Sequence, residues 1–338
     1  MSTDVFDLTI VGAGPAGLFS AYYAGLRGLR VKIVDSLDQP GGQLIALYPE
    51  KFIYDVAGFP AVLAKTLVNE LVKQASQYKP VWCMGEQVQT CEQHKEGCLA
   101  IGTNRSTHWS RAVVIAAGAG AFAPKKLPGV NCSEYEGRGV SYSVRELAAW
   151  RDKRVLVVGG GDSAVDWALN LLRFTEHVTL IHRTGKFRAH EGSIAKLMAS
   201  PVKVRMFHEL KGVDGVERVE EVTIYDNRTK EEERLAVDGV LVNIGFSSSL
   251  GPIRDWGVEL DKEGIVVGSR METNVAGVYA AGDVASYPGK LKLIVTGFGD
   301  AATAVNHAKA FIDPASRSFP GHSTSVVPKQ RQDGDDGK

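Results

Sequence analysis

Two stretches of this chain place closely spaced glycines between an apolar run and a helix-like run. The first is Gly12-Ala13-Gly14-Pro15-Ala16-Gly17. Val5, Leu8, Ile10 and Val11 precede it, reading as a buried strand over 5–11, and a helix pattern runs from Leu18 to Leu26. Val31–Val34 is the next strand, and it ends on Asp35, 18 residues after Gly17. Strand, glycine turn, helix, strand and acid in this order and spacing form a dinucleotide-binding fingerprint. Gly12 permits the tight turn, Gly14 lets the backbone approach a pyrophosphate, and Gly17 allows close helix packing. The helix N-terminus then faces the phosphates. Asp35 can accept hydrogen bonds from a ribose diol but repels a 2′-phosphate. The site therefore favours FAD or NAD over NADP.

The pattern recurs with opposite electrostatics. Arg154–Val158 is a strand, Gly159-Gly160-Gly161-Asp162-Ser163-Ala164 a turn, Val165–Phe174 a helix and His177–Ile181 a strand. Its tip reads His182-Arg183, with no acid. Arg183 and Arg188 lie where a 2′-phosphate would sit, and arginine suits multidentate phosphate recognition. Gly159, Gly161 and Ala164 take the three turn positions, and alanine at the third commonly accompanies NADP. One site rejecting and one inviting a 2′-phosphate imply FAD plus NADPH. The flavin then carries the redox chemistry, so no catalytic protein residue is assigned. No Ser/His/Asp or Cys/His arrangement stands out. Asp283, after Gly282, is placed either to meet a ribityl hydroxyl or to cap a helix. Gly297-Phe298-Gly299 predicts a helix over Asp300–Ala310, whose N-terminus could stabilise negative charge on a reduced ring.

These sites need two domains, and 338 residues suffice for about two. The strand Arg111–Ile115 closes on Ala116-Ala117-Gly118, and a related segment, Gly277–Asp283, comes late. The chain thus returns to its first domain after completing a second. The expected class is α/β, with two Rossmann-like three-layer nucleotide-binding domains, the second inserted into the first. FAD takes 1–119 and 245–328, and NADPH takes 120–244. The crossings fall near Ala119–Leu127 and Asn243–Ser249, and 329–338 is a polar tail expected to be disordered. Formal net charge is zero, which indicates no bulk attraction to nucleic acid or membrane. No secretory pattern precedes the first strand and no apolar stretch reaches about 20 residues, so a cytoplasmic location is expected. Cys83, Cys91, Cys98 and Cys132 form no Cys-x-x-Cys pair, no histidine stands at metal-ligand spacing, and no metal is expected.

With both fingerprints and the interrupted first domain, the chain resembles the thioredoxin reductase-like flavoproteins. Pro40-Gly41-Gly42-Gln43-Leu44, His182-Arg183 with Phe187-Arg188-Ala189, and Ala280-Ala281-Gly282-Asp283 carry the likeness. In that family a redox Cys-x-x-Cys follows a Gly-Val-x-Tyr-like segment. Here Gly139-Val140-Ser141-Tyr142 is followed by Ser143-Val144-Arg145-Glu146, so a dithiol relay is impossible there. The resemblance narrows to thioredoxin reductase-type ferredoxin–NADP⁺ reductases. It rests on Ala46–Lys51, Tyr54–Pro60, Gly159–Trp167, Phe187–His190 and His322–Thr324.

The resemblance implies a homodimer with non-covalent FAD. It implies that Asp35 holds the adenosine ribose, that Gln43 and Tyr48 meet the flavin, and that the Val88 backbone meets the adenine end. Phe122, Asp283 and Thr324 complete that site, and His322 covers the second ring face from the C-terminal segment of the other copy. One departure is Thr184, where the family has a second arginine. The implied activity passes a hydride from NADPH to FAD and single electrons to ferredoxin or flavodoxin. A disulfide or quinone reductase and a flavin-based redox sensor are the competing readings. An acidic iron–sulfur partner needs a basic face. Residues 121–190 offer eleven cations, Lys125, Lys126, Arg138, Arg145, Arg151, Lys153, Arg154, Arg173, Arg183, Lys186 and Arg188, against seven acids.

Overall fold

The computed structural model describes residues 4–94, 97–317 and 321–322. The expected tail 329–338 and Thr324 lie outside the described residues. The chain divides into two compact units.

The first unit comprises Met1–Ile45, Phe52–Ala121 and Ser249–Lys338. Its sheet runs Val81–Met84, Val31–Asp35, Val5–Val11, Thr107–Ile115, Leu99–Thr103, Val88–Gln93. The strands from Val81–Met84 to Thr107–Ile115 pair in parallel. On its other edge Thr107–Ile115 serves two further neighbours: its start pairs antiparallel with Leu99–Thr103, and its end pairs in parallel with Val278–Ala280. That second pairing brings the late Gly282-Asp283 segment back to the first sheet, as the sequence implied. Leu8, Ile10, Ile33, Val113, Val114 and Ile115 are buried, as in a sheet covered on both faces. Helix Pro15–Leu26 packs against the last helix, Ile294–Ile312.

That last helix corrects the sequence expectation. It starts at Ile294, so Gly297 and Gly299 lie inside it instead of opening it at Asp300. Leu293 is extended at the N-cap, and its amide donates to Thr296 Oγ1 at 3.3 Å. Gly297 lies against the Gly282 turn: a Cβ there would stand 3.4 Å from Gly282 Cα and 3.6 Å from Ala16 Cβ, ordinary contact distances. The charge-stabilising N-terminus therefore belongs to Leu293–Thr296, not to Gly297–Gly299.

The second unit comprises Ala46–Lys51 and Phe122–Ser248. Its parallel sheet runs Val140–Ser141, Gly239–Asn243, Val155–Gly159, Val178–His182, Lys203–Met206. An antiparallel sheet of His208–Asp214, Glu221–Asp226 and Glu232–Ala236 follows. Val155, Val157, Leu180 and Leu241 pack toward helix Asp162–Leu171, while Leu156, Val158, Ile181 and Val240 join the other core cluster. Residues 46–51, which the sequence reading gave to the first domain, group with this unit for a physical reason. Tyr48 packs against the cluster containing Trp167, and Lys51 Nζ meets Asp166 Oδ2 at 2.6 Å.

Candidate functional site

In the first unit, Gly12 sits at φ +111°, a conformation that L side chains rarely adopt. Its amide donates to Val34 O at 2.8 Å, tying the turn to the next strand. A Cβ at Gly17 would fall 1.9 Å from Gly12 O, so only glycine lets the helix start against the turn. Gly14 is different, because a Cβ there would meet nothing within 4 Å. The fold leaves that face open.

Asp35 closes the adjoining strand. Its Oδ2 accepts from Ala13 N at 2.6 Å and its Oδ1 from Leu37 N at 2.8 Å. Burial pushes its pKa up, and the two backbone amides pull it back. Lone pairs remain for ribose hydroxyls, which would relieve part of that burial cost. Residues past Met84 fold beside it: Glu86 N donates to Asp35 O at 2.9 Å, and the buried Val88 follows. Gly41 N donates to Ala13 O at 2.9 Å, bringing Gln43 onto the turn, and Gln43 Nε2 lies 3.4 Å from where a Gly118 Cβ would stand. Ala281 N donates to Ile115 O at 2.9 Å and Gly282 packs on Ala16, so Asp283 faces the same end of the sheet. Burial raises the Asp283 pKa; Lys290 and Lys292 lower it, and Asp300 raises it.

Gly12, Gly14, Gly17, Asp35, Gln43, Val88 and Asp283 thus gather at one sheet edge. Tyr48 groups with the second unit. Phe122 lies in the strand Ala121–Pro124, and His322 is exposed.

In the second unit, a Cβ at Gly159 would fall 2.2 Å from Asn243 O, while Gly161 meets nothing within 4 Å. Ala164 is fully buried under the turn. The loop after Val178–His182 folds back, with Arg188 N donating to Gly160 O at 2.8 Å. His182 braces it, with its ring stacked on Phe187 at 5.1 Å and lying against Gly160. Burial lowers the His182 pKa, a hydrogen bond to Lys186 O raises it, and Arg183 and Arg188 lower it. Thr184 faces inward, with Oγ1 2.8 Å from His182 Nε2 and donating to Lys186 O. Arg183 and Arg188 are exposed, and neither guanidinium has an acidic partner among the described residues. Of the other cations in 121–190, Lys126 pairs with Glu136, Arg154 with Asp238, and Arg138 donates to Glu134 O and Glu217 O.

The dithiol slot holds Ser143 and Glu146, with Val144 fully buried between them. Burial pushes the Cys91 thiol up to about 12 and the Cys132 thiol up to about 11. Sequence reasoning missed one cluster, Cys83, Glu86 and His108, whose ligand atoms lie within 4.8 Å of one another. The strand pairing assembles it from residues too far apart to form a motif. Lys32 Nζ lies 3.0 Å from His108 Nδ1, and His108 Nε2 lies 2.9 Å from Glu86 Oε2. An ammonium, an imidazole and a carboxylate satisfy one another here, and the ammonium repels a metal cation.

The model of the pyridine nucleotide-disulphide oxidoreductase family matches residues 6–308. The chain belongs to this family. A ferredoxin–NADP reductase of Halalkalibacterium halodurans is 53% identical over 326 residues, covering 96% of this chain and 98% of that protein. Another, from Thermus thermophilus, is 50% identical over 328 residues, covering 96% and 98%. Among solved structures, T. acidophilum thioredoxin reductase matches with a TM-score of 0.77 at 30% identity, covering 92% of this chain and 99% of that one. Lactococcus lactis thioredoxin reductase matches with a TM-score of 0.76 at 27% identity, covering 91% and 99%. The α/β fold with two nucleotide-binding units is that of this family.

Proposed function

We infer that this protein is an NADPH-dependent, FAD-containing reductase of ferredoxin. The observation that carries the reading is the charge contrast between its two glycine turns. Asp35 stands at the tip of the first, while Arg183 and Arg188, without an acidic partner among the described residues, stand at the tip of the second. The first suits an unphosphorylated adenosine ribose and the second a 2′-phosphate. The names of relatives about half identical over nearly their full length agree.

When bound, FAD supplies hydride acceptance and single-electron release. The chain's own residues bind and orient. The open face of Gly14 admits the pyrophosphate, and the N-terminus of helix Pro15–Leu26 faces its charge. Asp35 holds the adenosine ribose, Gln43 and Val88 contact the flavin and adenine ends, and Asp283 holds the ribityl chain. Gly159, Gly161 and Ala164 shape the NADPH turn, and Arg183 and Arg188 hold the 2′-phosphate. Tyr48, Phe122, His322 and Thr324 are assigned to the flavin by resemblance.

Residues 1–119 with 245–328 make the FAD domain and 120–244 the NADPH domain, with 46–51 packed on the latter. Flavodoxin as a second acceptor, a homodimer and a cytoplasmic location belong to the same reading. No described helix is long and apolar enough to cross a membrane.

The test is cofactor selectivity. Each charge-assisted phosphate contact is worth roughly 1.5–3 kcal/mol, or about ten- to a hundred-fold in affinity. Arg183→Ala should raise the Michaelis constant for NADPH by that factor and leave NADH nearly unchanged. Equal losses with both would make Arg183 structural and remove the basis for an NADPH site.

A further inference from the structure

Beneath the Gly282-Asp283 turn lies a buried group of charges that the binding reading does not use. Asp300, in the second turn of Ile294–Ile312, is 5% exposed. Its Oδ2 accepts from Gly282 N at 3.1 Å and from Lys290 Nζ in a short ion pair. Its Oδ1 accepts from Tyr287 OH at 2.9 Å. The Lys290 side chain is 6% exposed, and its ammonium lies 5.3 Å from the Tyr287 ring centroid.

A buried ion pair adds little net stability, because desolvation offsets the attraction. This one makes a specific backbone contact instead. Gly282 is held at φ +80°, with Ala16 close beside it: a Cβ at Gly282 would lie 2.9 Å from Ala16 Cβ. Its amide points down into Asp300, which fixes the direction in which the next residue, Asp283, emerges. Lys290 donates to the same Asp300 oxygen, and Tyr287 holds the second one.

We propose that Lys290 and Asp300 are positioning residues for the flavin, a buried pair that locks the Gly282 amide so that Asp283 presents its carboxylate to the bound FAD. The inference rests on the assignment of Asp283 to the FAD site. It gives the reductase a support layer of Tyr287, Lys290 and Asp300 in which no residue touches the cofactor.

The experiment compares purified holoproteins by the rate of FAD release, followed as flavin fluorescence, and by the flavin visible circular dichroism. Thermal midpoints after FAD removal serve as the structural control. Asp300→Asn alone strands the Lys290 charge and should speed release. Lys290→Met with Asp300→Asn neutralises the pair but keeps an oxygen for Gly282 N, so it should restore retention toward wild type. Lys290→Met with Asp300→Leu also removes that acceptor. It should release FAD about ten- to a hundred-fold faster, with altered dichroism, while melting with the other double variant once stripped.

Wild-type retention in the Asp300→Leu double variant overturns the proposal. So does a Lys290→Met/Asp300→Asn variant no better than Asp300→Asn alone. Tyr287→Phe is the milder probe should the doubles not fold: release several-fold faster supports the proposal, and unchanged release overturns it. A wild-type protein that takes up no FAD would overturn the parent reading as well. Indifferent variants of a yellow wild-type protein overturn this inference alone.

Discussion

At the scale of single residues, the two turns separate glycines kept for the fold from glycines kept for a ligand. Gly17→Ala drives a methyl into Gly12 O, and Gly159→Ala drives one into Asn243 O. Rigid backbone on the receiving side makes such overpacking cost roughly 1–3 kcal/mol or more. Gly14 and Gly161 face open space at ordinary negative φ, −72° and −96°. Gly14→Ala should therefore fold with a nearly unchanged melting temperature when stripped of cofactor, yet lose FAD. Gly161→Ala should fold and raise the Michaelis constant for NADPH. Gly17→Ala should lower the melting temperature even without cofactor. Equal melting losses for Gly14→Ala and Gly17→Ala would mean the open face at Gly14 is not a phosphate approach. The glycine positions, Asp35, Arg183 and Arg188 were all legible in the sequence, because fixed spacing between a strand and a helix carries their geometry. Asp300, Lys290 and Tyr287 were not, because they act through one backbone amide 18 residues before Asp300.

At the scale of elements, sequence patterns located strands well and placed three helix starts late, at Leu18 for Pro15, Val165 for Asp162 and Asp300 for Ile294. Apolar runs such as Val5–Val11 and Val155–Gly159 are buried on both faces and read directly. The start of Ile294–Ile312 did not, because Gly297 and Gly299, read as breaks, lie inside the helix, with Gly297 against Gly282. The loop 182–188 shows how an element can carry a pH response. His182 is held below its ordinary value of 6.5, first by burial. The unfolded chain then binds the proton more readily than the folded one. Stability at this site is complete above 6.5 and is lost as pH falls through 6.5 toward the lowered folded value. A plot of thermal midpoint against pH should bend downward below 6.5, and His182→Gln should flatten that bend. An unchanged slope in the variant would assign the acid sensitivity to other groups.

At the scale of the whole molecule, the fold is shared with thioredoxin reductases, while the exit route for electrons is not. The chain matches two thioredoxin reductases with TM-scores of 0.76 and 0.77. Thioredoxin reduction by such a fold needs a dithiol beside the second unit, and Ser143 and Glu146 supply none. No other cysteine can take over. Cys98 and Cys132 are buried, and burial holds the Cys83, Cys91 and Cys132 thiols above their ordinary range. The thiolate is the reactive form, so burial disfavours reaction at Cys83, Cys91 and Cys132. Electrons must then pass from flavin to acceptor without a covalent protein intermediate. NADPH-dependent reduction of ferredoxin, read through cytochrome c, should therefore survive prolonged treatment of the folded holoprotein with iodoacetamide. NADPH-dependent reduction of thioredoxin should be absent before and after treatment. Alkylation that abolishes ferredoxin reduction while the flavin spectrum stays intact would show that a cysteine does lie on the electron path, and the direct route would have to be abandoned.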